Sequence, residues 1–172
     1  MCIDRPFTNR IACRYVSPTP EILHDALFGR LKWNPDIGWL EGRIEFDPGH
    51  VVRVTFVAEE PNEFPEIISR AHQQLPALKL KHSAIYARVR EEFLALYNES
   101  WAGSVNGYGQ PATMGKISVD KFDELVRLQR VSFQYGTGVD LWYFDGDELF
   151  GGHSILVQLD DNLEIVSTGL EG

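Results

Sequence analysis

Apolar positions along the chain switch from strand-like to helix-like spacing and back again. Residues 28–33, 39–46 and 51–57 form three β-type runs. In the third, Val52, Val54 and Phe56 alternate with Val51, Arg53 and Thr55, the period of a strand with one buried face. Asn34-Pro35-Asp36-Ile37-Gly38 separates the first two runs, and Asp47-Pro48-Gly49-His50 the last two. Proline presets φ and glycine accepts a positive one, so Pro48-Gly49 fits the centre of a type II turn. These runs predict an antiparallel meander. Residues 1–27 are poorly defined by pattern. Thr19 could cap a short helix with Pro20 at its first position, placing Leu23, Ala26 and Leu27 on one face.

The period then becomes helical. Phe64, Ile67, Ile68, Ala71 and Leu75 make one stripe, with Asn62 as cap and Pro65 in the first turn. Pro76 is expected to end that helix, because it lacks an N–H and clashes with the preceding turn. Ile85, Val89, Phe93, Leu96 and Tyr97 make a second stripe, with Arg88, Arg90, Glu91 and Glu92 on its solvated side. His72 and His82 read as surface or capping residues. Residues 98–116 form a long irregular loop rich in glycine, in which Trp101 either docks the loop or serves a working surface. A third helix starts near Ser118, with Ile117 and Phe122 placed as a hydrophobic staple. Strand-like runs return at 131–135, 139–144, 154–159 and 163–168, joined by short turns at Gly136-Thr137-Gly138 and Asp160-Asp161-Asn162. The expected fold class is α+β: an antiparallel sheet from an N-terminal meander and C-terminal hairpins, with about three helices against it.

Composition narrows the function classes. A chain of 172 residues with 44% hydrophobic content fits a single domain with its own core. Cys2 and Cys13 alone suggest no disulfide framework. Met1-Cys2-Ile3-Asp4-Arg5-Pro6 lacks the charged and apolar regions of a signal peptide, and no apolar run reaches the ~18 residues of a membrane span. A cytoplasmic protein is expected. The net charge of −9, from 25 acidic and 16 basic residues, argues against nucleic acid. It permits a basic protein partner steered by charge, and it equally suits a protein kept soluble by its acidity.

The densest candidate chemistry lies between the strand runs that end at Phe144 and begin at Ser154. Asp145, Asp147, Glu148 and His153 share that loop with Gly146, Gly151 and Gly152. Loops held between paired strands often carry function. A divalent metal would use oxygen ligands, but the calcium-loop spacing is absent. His153 with Asp145 or Asp147 could act as an acid–base pair, yet no nucleophile motif accompanies it. The structural alternative is a glycine bend with His153 bonded to the backbone. Gly107-Tyr108-Gly109 and Gly136-Thr137-Gly138 lack phosphate-loop spacing, and no zinc pattern occurs. Neither a cofactor nor a metal is expected. On the strand before the loop, Val139, Leu141 and Tyr143 share one face, and Trp142 and Phe144 the other. That second face is either covered by a helix or left open as an aromatic docking patch.

Gly38-Trp39-Leu40-Glu41-Gly42, Leu96-Tyr97-Asn98-Glu99-Ser100-Trp101 and Asp145-Gly146-Asp147-Glu148-Leu149-Phe150-Gly151-Gly152-His153-Ser154-Ile155 together resemble a bacterial family known as domain of unknown function 2262. The resemblance spans roughly residues 38–172. The family usually carries an aromatic where Gly151 stands and lacks the extra Glu148. It implies no established activity. By analogy with other small bacterial proteins, it suggests an immunity or regulatory partner. The reading is therefore a protein-binding module without catalytic residues, using Asp145, Asp147, Glu148, His153, Trp101 and Trp142. The alternative is a small-ligand or metal-dependent enzyme built on Asp145, Asp147 and His153.

Overall fold

A computed structural model describes residues 22–104, 114–146 and 149–172 of the chain. Among these residues, eight strands form one sheet in simple chain order: β1 (Ile22–Asp25), β2 (Gly29–Asn34), β3 (Trp39–Asp47), β4 (His50–Val57), β5 (Arg127–Gln134), β6 (Thr137–Phe144), β7 (Ser154–Leu159) and β8 (Ile165–Glu171). Short turns join neighbours within each half, so those pairs are antiparallel. The halves meet differently. β4 and β5 run parallel, with Arg53 opposite Arg130 and Phe56 opposite Phe133. A parallel pair needs a long crossover, and helices α1 (Phe64–Leu96) and α2 (Val119–Leu125) lie in it. The meander and the C-terminal hairpins are thus present, but the sheet they build is mixed at its centre.

The N-terminal meander gains a strand. Ile22–Asp25 pairs with β2, and Ala26 and Leu27 lie in the turn that follows, so Leu23, Ala26 and Leu27 share no helix. The proposed cap at Thr19 and Pro20, like Cys2 and Cys13, lies outside the described residues. The Pro48-Gly49 turn forms, with Gly49 at φ 76°.

Among the described residues, two α-helices replace the expected three, because α1 runs through Pro76. Proline inside a helix removes one backbone bond and crowds the preceding turn, at a cost of ~3 kcal/mol. The compensation is one unbroken buried stripe: Ile67, Ala71, Leu75 and Leu78 before and just after the proline, Ile85, Val89 and Phe93 beyond it. Each buried aliphatic side chain contributes about 1.5–3 kcal/mol, so the stripe outweighs the break. Asn62 does not cap α1. It lies in a 3-10 turn, Pro61–Glu63, where Glu63 accepts from the amides of Glu59 and Glu60 at 3.0 Å each. α2 starts as expected, with Ser118 accepting from the Lys121 amide and Phe122 buried.

The core lies between α1 and one face of the sheet. Leu40, Val54, Phe56, Val131, Phe133, Leu141, Tyr143, Ile155 and Val157 supply that face. His82 is packed there rather than at the surface. Its ring stacks on Tyr143 at 6.0 Å, and Nε2 lies 3.1 Å from the Tyr143 hydroxyl. Burial pulls the His82 pKa below its ordinary value, with the His50 charge adding to the effect and Asp47 opposing it. His72 joins both oxygens of Asp25, at 3.0 and 2.9 Å, and ties the β1–β2 turn to α1.

Candidate functional site

The loop between β6 and β7 is held from inside. Asp145 is only 3% exposed, and its Oδ2 accepts from the amides of Leu149 at 2.8 Å and Phe150 at 2.9 Å. That arrangement turns the chain so that Leu149 and Phe150 point into the core. Gly151 and Gly152 both adopt positive φ, 60° and 95°, which bends the chain back toward β7. The His153 amide closes the bend on the Phe150 carbonyl at 3.2 Å. The glycine-bend reading therefore holds for the backbone. Asp147 and Glu148 lie outside the described residues.

Trp101 belongs to the same end of the molecule. It closes a π-helical turn, Tyr97–Trp101, that continues α1. Its ring meets Phe150 edge-on at 5.6 Å and His153 at 6.1 Å. Asp145, His153 and Trp101 thus surround Phe150. Trp142 stands apart from them. Alternation along β6 sends it to the opposite side of the sheet from Leu141 and Tyr143.

No described helix packs on that opposite side, although Thr55, Ser132 and Asp140 there are buried. Two transverse rows cross it, each set by strand register. The first joins Glu41, Thr55, Ser132, Asp140, Gln158 and Ser167. It is a polar ladder: the Thr55 and Ser132 hydroxyls lie 2.7 Å apart, Gln134 and Gln158 both donate to Asp140, and Ser167 donates to Gln158 at 2.7 Å. Burial raises the Asp140 pKa, against the pull of those glutamine hydrogen bonds and of Arg130.

The second row is cationic and aromatic. Arg43 faces Arg53, Arg53 faces Arg130, and Arg130 faces Trp142. Neighbouring strands lie about 4.8 Å apart, so three guanidinium stems rise within roughly 10 Å. The Arg130 guanidinium sits between two indoles, 4.2 Å from the centre of the Trp142 ring and 5.7 Å from that of Trp39. Its Nε is buried without a hydrogen-bond partner among the described residues. Burial, reinforced by the Arg53 charge, lowers the Arg130 pKa, while Asp140 and Glu41 oppose the shift. Arg43 and Arg53 are exposed, and neither forms an ion pair among the described residues. A hollow of about 320 Å³ opens here, lined by the three arginines, Val51, Trp142 and Phe144. Among the described residues, no group of three or more His, Cys, Asp or Glu side chains could hold a metal ion.

Sequence reasoning placed Trp142 on this face and missed Trp39 and the three arginines. Arg43 and Arg53 do occupy the polar positions of their strands. What aligns them with Arg130 is the parallel β4–β5 pairing, which local periodicity does not carry.

The model of a bacterial family, described as "Uncharacterized protein conserved in bacteria (DUF2262)", matches residues 25–170. The chain belongs to DUF2262. No curated protein and no solved structure matches it. The DUF2262 match begins at Asp25, earlier than the motif resemblance near Gly38, and takes in β2 to β7 and all but the last residue of β8. Both rows of that face lie inside it. No helix among the described residues is long and apolar enough to cross a membrane.

Proposed function

We propose that this DUF2262 protein is a protein-binding module of bacteria, an immunity or regulatory partner rather than an enzyme. Its working surface is the sheet face opposite α1. One observation carries the reading: no described helix packs on that face, and a cluster of tryptophan and arginine is set into it beside the polar ladder. Those residue types dominate binding energy at protein interfaces, where they combine large apolar area with directional donors. Asp145 supports the same shift of surface. Two loop amides share its Oδ2, which makes that oxygen part of the loop's own structure.

The test is affinity capture from native cells with three baits. The wild type and Arg88→Glu, a charge reversal on the exposed side of α1, are expected to retain one stoichiometric protein. Arg53→Glu is expected to lose it. Retention of the same partner by Arg53→Glu and by Trp142→Ala would remove this face from the mechanism.

A further inference from the structure

Resting on that reading of the face, we infer that the Arg43–Arg53–Arg130 row is a carboxylate receptor, and that its occupant is an acidic segment of a protein partner.

The argument starts from unmet donors. A guanidinium carries five N–H donors in a planar fork. Arg130 is held between Trp39 and Trp142 with its Nε buried and unpaired, so its orientation is fixed before anything binds. Arg43 and Arg53 stand beside it on adjacent strands with no ion pair among the described residues. Three like charges in register repel one another, a destabilising arrangement that a bound anion would relieve. The neighbouring acids fill that role only in part: Asp140 and Glu41 favour the charged Arg130, against burial and the Arg53 charge, and none of the row's arginines has an ion pair among the described residues. Glu41 accepts from Asn34, Glu45 accepts from the Gly49 amide, and Asp140 is tied to Gln134 and Gln158.

The chemistry of the hollow selects the anion. Free phosphate is usually cradled by a nest of backbone N–H groups or a helix start. In the middle of a sheet those N–H groups are spent on the ladder, so only side chains are offered here. Planar guanidinium forks match planar carboxylates two bonds at a time. The rim is apolar: Val51 is 56% exposed, and Trp142 and Phe144 flank it. An acidic peptide with interleaved apolar side chains satisfies both features, whereas a free carboxylate leaves the rim in water. Nucleic acid is disfavoured, because one row of three arginines on a chain of net charge −9 is a small basic footprint.

The test follows the arginine side-chain Nε–H signals by NMR in the intact protein, titrated with short poly-L-glutamate. Saturable shifts are expected at Arg43, Arg53 and Arg130 but not at Arg88. The double variant Arg43→Gln/Arg53→Gln should weaken the affinity roughly tenfold or more, the loss of at least one charge-assisted contact. Arg130→Lys keeps the charge and loses the fork, and should weaken it by a smaller factor. Equal shifts at Arg88, or none at the three arginines, overturn the inference. Saturation by inorganic phosphate or by a single-stranded oligonucleotide instead of polyglutamate overturns it in favour of those ligands. If Arg53→Glu loses its captured partner while polyglutamate leaves the row untouched, the face stands as a docking surface and the carboxylate chemistry falls. If polyglutamate binds while the variants keep their partner, the receptor stands and the docking assignment falls.

Discussion

A conspicuous acid can be a structural part. Asp145 opens a loop whose composition suggests a working surface, yet its oxygen faces two backbone amides and almost no water. Replacing it by alanine leaves those buried donors without their acceptor, at a cost of about 2–4 kcal/mol. A urea titration of Asp145→Ala should show a lower midpoint with an unchanged slope. An unchanged midpoint would mean that the loop finds other acceptors. Asp25 gives a prediction in pH. Burial raises its pKa, but the hydrogen bonds from His72 and from the amides of Phe28 and Leu27 outweigh it and hold the carboxyl below its ordinary value. A folded value below the unfolded one means that ionised Asp25 stabilises the native state. That stabilisation is complete above the ordinary carboxylate range near ~3.9 and disappears as pH falls through the lowered folded value. The stability gap between wild type and Asp25→Asn, measured by urea titration, should narrow steadily below about pH 4. Neither residue's role was legible from sequence. Carboxylates beside glycines and turns read alike whether they meet water, an amide or an imidazole.

At the scale of elements, periodicity carried most of what was legible. Alternation located seven of the eight strands and helical spacing located both stripes of α1, because each pattern reports which side of a local element is buried. It failed where a local rule met a larger energy. Pro76 obeys the rule for a helix end and sits inside a helix, since burial on both sides of it favours one continuous rod. The side chain is exposed, so its replacement leaves the core intact. Pro76→Ala should therefore stabilise the protein by about 1–3 kcal/mol, the restored backbone bond set against a more flexible unfolded chain. Circular dichroism of the variant should match the wild type while its denaturation midpoint rises. A lower midpoint would show that α1 depends on a kink at that residue. β1 escaped the pattern for a different reason. Four residues at a sheet edge, alternately exposed and half-buried, are too few to establish a period.

The whole molecule sets two charges against each other, and this gives the arginine row a kinetic signature. The chain carries a net charge of −9, while Arg43, Arg53 and Arg130 form a local positive row. Charge over the whole surface governs encounter at distances beyond the screening length, about 10 Å at 0.1 M salt. Contact between a carboxylate and a guanidinium governs residence at shorter range. An acidic segment must approach against the overall field and is then held by the row. Adding salt weakens the repulsion before contact as well as the attraction after it. The association rate of an acidic peptide should therefore stay level or rise between about 20 and 300 mM salt, and its dissociation rate should rise. A basic partner, which the overall acidity permits on sequence grounds, predicts the reverse for association: a steep fall as screening removes the steering. Stopped-flow measurement of both rate constants across that range separates the two. A falling association rate would reassign the working surface from the arginine row to the acidic remainder of the molecule. The composition alone points to that second outcome. The first follows only once strand register brings together three arginines that lie far apart along the chain.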